Sequence, residues 1–417
     1  MIDFGLSSDI KKLSEEALIL CEKAFKEIDK IAEYNQQRAL KSFIDCKVSE
    51  SHLWGSTGYG YNDRGRETLD KLYAQLFDAE DALVRHSFVC GTHAIATALF
   101  GVLRPGDTML CATGKPYDTL KDTIGIGKNT QQGSLKDFHI NYRQVNLKSD
   151  GHLDLEEINH NITSDVKLVY LQRSRGYSLR ASLYIEDIKK LVDIAKNKNP
   201  NCIVVVDNCY GEFTQKVEPS SVGADLVAGS LIKNPGGGIA PAGGYIAGRK
   251  NLVQMCSYRL TAPGIGKEVG ATLNCNRELF LGIFNAPHAT GEAMKTAVFA
   301  AALFELIGFE VYPKYSEPRA DIIECIKLGD EKKLIKFCKT LQSFSPIDSF
   351  VSPEPWEMPG YSNKIIMAAG TFTQGASIEL SADAPLREPY AVWLQGGLNF
   401  HSSKVAIMAA AQEVLKK

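Results

Sequence analysis

A regular alternation of short apolar runs with longer amphipathic segments, between residues 82 and 230, most constrains how this chain can fold. The apolar runs predict strands at 82–86, 108–112, 167–171, 203–207 and 226–230, and the amphipathic segments predict helices at 94–103 and 185–195. Strands that alternate with amphipathic helices favour a mainly parallel sheet covered by helices on both faces. We therefore predict an α/β fold with a large, mainly parallel-sheet domain.

The flanking segments predict two further parts of this 417-residue chain, which is too long for one small core. Apolar residues at steps of three and four predict a helix over 9–47, whose apolar stripe needs cover from the same body or a second subunit. The remaining predicted elements are helices at 67–77, 293–307, 320–344 and 402–415, strands at 364–369, 376–380 and 391–394, and a loop or hairpin at 236–248. The predicted domains are an N-terminal helical arm and linker (1–60), a large α/β domain (61–292) and a small C-terminal α/β domain (293–417).

Charge and composition argue against several classes of protein. The net charge is −2 at pH 7 and no stretch is rich in Lys and Arg, which argues against nucleic acid or an anionic membrane as the partner. No apolar run reaches the length of a membrane-spanning helix, and the first nine residues do not resemble a signal peptide. The ten cysteines form no C-x-x-C pair and the eight histidines have no metal-type spacing, so we predict a reduced, cytoplasmic protein without a metal site.

Lys233 follows an apolar run and precedes a glycine-rich loop, and Asp207 ends the preceding predicted strand. An amine at the end of a buried strand is desolvated, which lowers its pKa and favours the neutral form that imine formation requires. A carboxylate such as Asp207 can pair with the pyridinium nitrogen of pyridoxal phosphate (PLP). Alone, Lys233 is more simply a surface lysine and Asp207 a cap. Together they favour an enzyme that holds PLP as a Schiff base on Lys233.

Three small residues form a predicted phosphate site. Gly91 and Thr92 lie between a predicted strand and the helix at 94–103, whose first N–H groups can bind an anion. Ser230, three residues before Lys233, could donate to the same phosphate. A glycine turn with Thr92 as the N-cap gives the same pattern without any ligand.

Two further residues are candidates for contacts with the ring and the substrate. Tyr117 follows the predicted strand at 108–112 and could stack on the cofactor ring, although most such tyrosines are only half-buried loop residues. Arg387 could bind a substrate α-carboxylate, because its planar guanidinium matches a carboxylate through two hydrogen bonds. An ion pair with Glu388 or Asp383 is the alternative for Arg387. The competing candidates for the carboxylate are Arg173, Arg175 and Arg180.

The order of these motifs resembles that of the cystathionine- and methionine-lyase group of fold-type-I PLP enzymes. The motifs are Tyr61/Arg64, Cys90-Gly91-Thr92, Tyr117, Asp207, Ser230-x-x-Lys233 and Arg387. The segments 58–66, 206–213, 229–238 and 379–390 more closely resemble the branch labelled methionine γ-lyase-like, or aluminium-resistance, proteins. The resemblance spans residues 54 to 417 and is carried by the combined order, because each motif alone is common.

The resemblance implies a fold-type-I PLP-dependent transferase fold and a carbon–sulfur lyase that acts on a sulfur amino acid of the cystathionine, methionine or cysteine class. Such an enzyme releases thiol, keto acid and ammonia by β- or γ-elimination. Lys233 would carry the cofactor and move the Cα proton, and Asp207 would pair with the pyridinium. Tyr117 would stack on the ring and assist protonation of the leaving group, and Arg387 would bind the substrate carboxylate.

The resemblance also implies how the cofactor phosphate is held. Gly91, Thr92 and Ser230 would bind it from the same chain. Tyr61 and Arg64 would reach the phosphate of a neighbouring subunit, so the active unit would be a homodimer or homotetramer with shared active sites.

The chain departs from the pattern of these lyases at three places. Two residues separate Tyr61 from Arg64 where the lyases have one, so Tyr59 is also a candidate. Ile232 stands where a threonine usually donates to the phosphate. The Asn-Pro motif after the strand at 167–171 is replaced by the sequence of residues 172–177, close to where substrate and ring should meet.

Two other functions stay open at this point. The first is another PLP reaction on an amino acid, such as transamination, decarboxylation or racemisation. The second is a non-catalytic protein that binds metal under stress, although the sequence has no clustered carboxylates of the kind that hard cations prefer.

Overall fold

The computed structural model describes residues 2–127, 132–358 and 363–416, so the outer ends of the first and last predicted domains lie outside it. The helices are α1 Ser8–Asp45, α2 Arg64–Leu76, α3 Gly91–Val102, α4 Asp118–Ile124, α5 Leu155–Asn161, α6 Ile185–Lys198, α7 Lys250–Leu260, α8 Asn276–Leu306, α9 Glu331–Ser343 and α10 Phe400–Leu415. The strands are β1 Asp81–Arg85, β2 Thr108–Cys111, β3 Asn141–Gln144, β4 Val166–Gln172, β5 Ile203–Asp207, β6 Leu226–Ser230, β7 Gly244–Gly248, β8 Glu310–Tyr312, β9 Ile323–Lys327, β10 Ile365–Ala368, β11 Ser381–Pro385 and β12 Ala391–Gln395.

A seven-stranded sheet in the order β1-β7-β6-β5-β4-β2-β3 forms the larger part of the molecule. The strands from β3 to β6 are parallel, and β7 runs antiparallel to both of its neighbours. Strand β5 is buried at every residue because helices cover both faces of the sheet. One face carries α2 and α6, and the other carries α3 and α7. The predicted, mainly parallel sheet is confirmed.

A five-stranded antiparallel sheet in the order β10-β11-β12-β9-β8 forms a second layer with α9 and α10. Helix α8 is 31 residues long and joins the two parts. Its first half, with Phe280, packs in the core of the large sheet, and its second half, with Phe299, packs in the core of the small one. The small sheet therefore has a fixed contact with the large domain, although the predicted domain bounds stay a prediction.

Helix α1 packs along α8 and contributes to the same core. Cys21 and Ile28 are buried there beside Val298, and the Cys21 thiol lies 3.7 Å from the Val298 carbonyl oxygen. Farther along, Asn35 donates to the carbonyl oxygens of Phe213 and Gln215 at 3.2 and 2.9 Å. The molecule's own body therefore covers the buried stripe of α1.

Three sequence predictions are wrong in position. The predicted helix at 320–344 is β9 followed by α9, because Gly329, with φ 70°, breaks the chain between them. The predicted strand at 376–380 is a turn closed by the Glu379 carboxylate, which accepts the N–H groups of Phe372 and Thr373, and the strand begins at Ser381. Helix α8 begins seventeen residues before the predicted 293, since Pro287 and two glycines obscure its helical pattern.

The sequence patterns did not reveal several short elements, namely α4, α5, α7, β3 and β8. None of the described helices combines the length and the apolar character that crossing a bilayer requires.

Candidate active site

A cavity of about 400 Å³ lies at the carboxyl ends of β4, β5 and β6, beside the first turn of α3. This edge is where parallel α/β sheets usually bind ligands, because loops and helix N-termini meet there. Six of the nine predicted site residues line the cavity: Gly91, Thr92, Tyr117, Asp207, Ser230 and Lys233. They come from five elements or loops, so the fold brings them together.

The Lys233 amine is held by two hydroxyl groups in this cavity. Its Nζ donates to Tyr210 Oη at 2.5 Å and to Ser377 Oγ at 3.2 Å, and it lies 3.8 Å from the centroid of the Tyr210 ring. Burial alone would lower the pKa of Lys233, but the acidic groups around it, Tyr210 first, outweigh burial and raise the pKa above its ordinary value. The predicted lowering of this pKa is therefore wrong, because the sequence indicated the burial and not the acidic partners.

Asp207 presents a buried carboxylate to the same cavity. Its Oδ1 accepts the Cys209 N–H at 3.1 Å, and its Oδ2 accepts the Tyr170 hydroxyl at 3.2 Å. Burial raises the pKa of Asp207, whereas these hydrogen bonds and the Lys233 charge oppose the rise. A cationic ring nitrogen placed here would favour the ionised carboxylate further.

The first turn of α3 offers a site for an anion. No side chain caps the helix at Cys90, and Ser230 Oγ is buried without a hydrogen-bond partner within the described residues. A Cβ at Gly91 would lie only 3.3 Å from Ser230 Cβ and Cys209 Sγ, so glycine keeps this corner open. Free N–H groups at a helix start and an unpartnered hydroxyl are the groups that bind a phosphate.

These features fit PLP as the predicted cofactor. The site has an amine that can bind the aldehyde carbon, a buried carboxylate for the pyridinium nitrogen and an uncapped helix start for the phosphate. Thr92 Oγ1 is 2.7 Å from Thr119 Oγ1, which fixes its position beside the helix start. Ile232 also lines the cavity and brings no hydroxyl to it.

The aromatic wall of the cavity contains Tyr117. The Tyr117 ring lies 5.8 Å from the Tyr177 ring, and a Cβ at Gly176 would come within 3.4 Å of Tyr117 Cδ2. Gln172 Oε1, at the end of β4, is buried without a hydrogen-bond partner within the described residues. The segment that replaces the expected Asn-Pro motif therefore forms this wall.

Arg387 lies outside the first cavity. It is exposed and lines a neighbouring pocket, which shares Tyr117, Gln172 and Gly176 with the cavity. Neither Glu388 nor Asp383 forms an ion pair with it in the described part of the chain.

The three competing arginines are each held by other groups. Arg173 is completely buried and donates to Asn208 and the Gly211 carbonyl, both at 2.8 Å. Arg180 donates to backbone carbonyl oxygens, including that of Gln172 at 2.8 Å. Arg175 donates to the Tyr312 carbonyl oxygen at 2.6 Å and forms an ion pair with Asp321, and it lines the neighbouring pocket together with Arg387. Arg173 and Arg180 therefore have structural contacts, and Arg387 stays the better candidate for a substrate carboxylate.

Tyr61 and Arg64 do not line the cavity of their own chain. Tyr61 and Tyr59 are 64% and 73% exposed, with ring centroids 5.6 Å apart. Arg64 is exposed and its Nη2 is 3.4 Å from His52 Nε2. The side chains of Tyr59, Tyr61 and Arg64 are therefore all accessible to another molecule.

Sequence reasoning missed two residues that contact Lys233. Tyr210 follows β5 by three residues and has a positive φ of 71°, and the criterion that selected Tyr117, an aromatic just after a strand, applies to it equally. Ser377 is 144 residues from Lys233 and carries no local signal that distinguishes it from other serines.

Comparison with known proteins gives the family of this chain. Residues 10–415 match the profile of the methionine gamma-lyase family. The uncharacterized protein YnbB of Bacillus subtilis is 50% identical over 392 residues, which cover 94% of this chain and 93% of that protein. The L-methionine gamma-lyase of Treponema denticola is 25% identical over 240 residues, or 57% of this chain and 52% of the relative.

Solved structures show the same architecture. The carbon-sulfur lyase involved in aluminum resistance from Clostridium novyi NT is 53% identical, with a TM-score of 0.94 over 98% of this chain and 96% of that one. The pyridoxal-5'-phosphate dependent protein YhfS of Escherichia coli is 14% identical, with a TM-score of 0.62 over 93% and 96% of the two chains, and shows likeness of fold alone. The predicted fold-type-I architecture is confirmed.

Proposed function

This chain belongs to the methionine gamma-lyase family, and we propose that it is a PLP-dependent carbon–sulfur lyase that acts on a sulfur amino acid. One observation carries the proposal: Lys233, Asp207 and Ser230 line a single cavity at the carboxyl edge of the large sheet, and the Ser230 hydroxyl has no hydrogen-bond partner among the described residues. The Clostridium novyi relative is described as a carbon-sulfur lyase, which supports the same reaction.

In the proposed site each residue has one task. Lys233 would hold the cofactor covalently through Nζ until the substrate displaces it. Asp207 would keep the pyridine nitrogen protonated. Gly91, Thr92 and Ser230 would bind the phosphate. Tyr117 would stack on the ring of the cofactor.

The reaction requires cleavage of the Cα–H bond and of a carbon–sulfur bond, and γ-elimination also requires loss of a Cβ proton. When bound, PLP accepts the electron pair that loss of the Cα proton leaves behind. The released Lys233 amine would take that proton, since neutral amines act as general bases. A sulfur on Cβ would then leave directly, whereas a sulfur on Cγ would leave only after a Cβ proton is also removed. In both cases Tyr117 would donate the proton that the departing sulfur needs. One water completes the balance, so the products are a thiol, a keto acid and ammonium.

Two tests address this proposal directly. Purified protein with PLP should absorb visible light, and borohydride should fix the cofactor to the peptide that contains Lys233. Incubation with cystathionine, cysteine and methionine should release thiol and keto acid in equal amounts. Lys233→Ala should abolish both signals, whereas Lys198→Ala, an exposed lysine at the end of α6, should abolish neither.

Other outcomes would contradict the proposal in different ways. Keto acid without thiol would identify an aminotransferase of the same fold. A protein that stays colourless with added PLP would exclude the cofactor and with it the lyase.

We further propose that the active unit is a cytoplasmic homo-oligomer with shared sites, in which Tyr61 and Arg64 reach the phosphate in a second subunit. Both side chains are exposed and neither lines the cavity of its own chain, which supports this proposal. Mixing inactive Lys233→Ala subunits with Arg64→Gln subunits should then restore part of the activity. Failure to restore it, with mixed oligomers shown by mass spectrometry, would indicate unshared sites.

A further inference from the structure

A second pocket, of about 290 Å³, adjoins the cavity that contains Lys233. Tyr117, Gln172 and Gly176 line both spaces and form the wall between them. The wall belongs in part to the segment where the expected Asn-Pro motif is absent. A substrate whose thiol side extended past this wall would reach the second pocket.

The second pocket carries an excess of positive charge. Four cationic side chains and one carboxylate line it, and they are Lys115, Lys121, Arg175, Arg387 and Asp118. Lys121 is paired with Asp118 and Arg175 with Asp321, which leaves two cations, Lys115 and Arg387. In the described ranges, no ion pair or side-chain hydrogen bond joins Lys115 or Arg387 to another group. Convergent unpaired cations in a concave site favour an anionic ligand.

Arg175 is a buried residue of this pocket whose side chain is held in place by other groups. Its side chain is 2% exposed, and Nη1 donates to the Tyr312 carbonyl oxygen at 2.6 Å. Its Nε forms an ion pair with Asp321 Oδ2 at 3.7 Å and has no hydrogen-bond partner among the described residues. Asp321 is held in turn by the hydroxyls of Ser174 and Ser182. The guanidinium is therefore fixed in place and keeps donor capacity, and a guanidinium binds carboxylates well.

We propose that this pocket binds a carboxylate on the leaving-group side of the substrate, held by Lys115 and Arg175, in addition to the α-carboxylate assigned to Arg387. The inference rests on the proposed lyase function and specifies its substrate class. Methionine ends in a methyl group and offers nothing to this pocket. A thioether that ends in a carboxylate fills it and neutralises the charge.

A pair of substrates of equal shape and different charge tests this inference. S-(2-carboxyethyl)-L-cysteine carries the distal carboxylate, and S-(2-carbamoylethyl)-L-cysteine carries a neutral amide of nearly equal volume. The corresponding homocysteine pair covers γ-elimination. We expect kcat/KM for thiol release to be at least about tenfold higher for the acid than for the amide, the effect of one charge-assisted contact. Lys115→Gln should lower this ratio, because only Arg175 then holds the distal carboxylate, whereas Lys198→Gln should preserve it.

The outcomes separate this inference from the function on which it rests. Equal kcat/KM for acid and amide, with thiol released from both, would overturn the inference and leave the lyase intact. If neither compound releases thiol, their dissociation constants are measured by calorimetry. Binding of the acid about tenfold more tightly than the amide would support the proposed carboxylate site and contradict the lyase function. Equal dissociation constants would overturn the pocket as well.

Discussion

At Lys233 the amine contacts three different kinds of group within one small volume. The Tyr210 phenol lies 2.5 Å from Nζ, the Ser377 hydroxyl 3.2 Å away, and the Tyr210 ring 3.8 Å from it. The phenol and the ring both favour the charged amine. The pKa of Lys233 is raised for this reason, even though burial acts in the opposite direction.

The first prediction concerns Tyr210. Tyr210→Phe keeps the ring and removes the hydroxyl that bonds to Nζ, so the pKa of Lys233 should fall. Because the neutral amine reacts with PLP, the pH midpoint for PLP binding to the cofactor-free protein should move to lower pH. Absorbance measured from pH 6 to pH 11 gives the midpoint, with Tyr34→Phe on α1 as the control. An unchanged midpoint would show that the phenol does not set this pKa.

The second prediction concerns the Ser230 hydroxyl, which is buried and unpartnered in the described structure. Ser230→Ala breaks no hydrogen bond among the described residues, so the melting temperature without cofactor should stay the same. The affinity for PLP should fall by about tenfold or more, the loss expected for one hydrogen bond to a charged group. Ser257→Ala is the matched control, since Ser257 Oγ donates to the Gln254 carbonyl oxygen at 2.7 Å. It should lower stability and leave the affinity for PLP unchanged, and the reverse pattern would contradict the assigned role of Ser230.

At the scale of elements, α1 packs against α8 and shares the core of the small sheet with it. The two faces of α1 differ clearly, because Ile28 is 5% exposed and Ile19 is 68% exposed. Gly291 on α8 allows close approach, since a Cβ there would lie 3.1 Å from Ala32 Cβ. The N-terminal helix is therefore part of the body and not a free arm.

The third prediction compares these two isoleucines. Ile28→Ala should lower the free energy of unfolding by about 2–4 kcal/mol, because it leaves a cavity in the core. Ile19→Ala, the same change on the exposed face, should cost less than about 0.5 kcal/mol. Urea unfolding followed by circular dichroism measures both. Equal losses would mean that α1 does not pack on α8 as described.

At the scale of the whole molecule, buried carboxylates couple stability to pH. Burial raises the pKa of Glu212 to about 8, with the neighbouring Glu218 adding to the rise, and burial raises that of Glu324 to about 7. Glu212 Oε1 accepts the Tyr245 hydroxyl at 2.9 Å, and its Oε2 has no partner among the described residues. An acid whose pKa is higher in the folded state binds more protons there than in the unfolded chain. Its contribution to stability is therefore full below the unfolded pKa of 4.5 and declines as pH rises to about 8.

The fourth prediction isolates Glu212 in this pH dependence. Between pH 5 and pH 8, Glu212→Gln should remove a decline of up to about 1.4 kcal/mol per pH unit from the free energy of unfolding. Glu156→Gln, at an exposed carboxylate on α5, should leave the slope unchanged. Urea midpoints at four pH values measure the slopes, and parallel curves for wild type and Glu212→Gln would refute the assignment.

The sequence predicted best those site residues that lie directly after a buried strand. Asp207, Ser230 and Lys233 follow buried strands, and the carboxyl ends of parallel strands meet at one edge of a sheet. Their proximity was therefore implied once the strands were recognised. The element bounds were less accurate where glycine or proline interrupts a helix, as in α8, because the apolar period is then obscured.

The sequence by itself determined the large parallel sheet, its edge with the cofactor residues and the family of motifs, because strand and helix periods are local properties. The tertiary structure alone decided which groups surround that edge. Ser377 reaches Lys233 only because the small sheet packs against the large domain, and Arg387 comes to the same pocket as Arg175 for the same reason. Contacts between residues more than a hundred positions apart depend on how whole layers pack, so local sequence patterns cannot predict them.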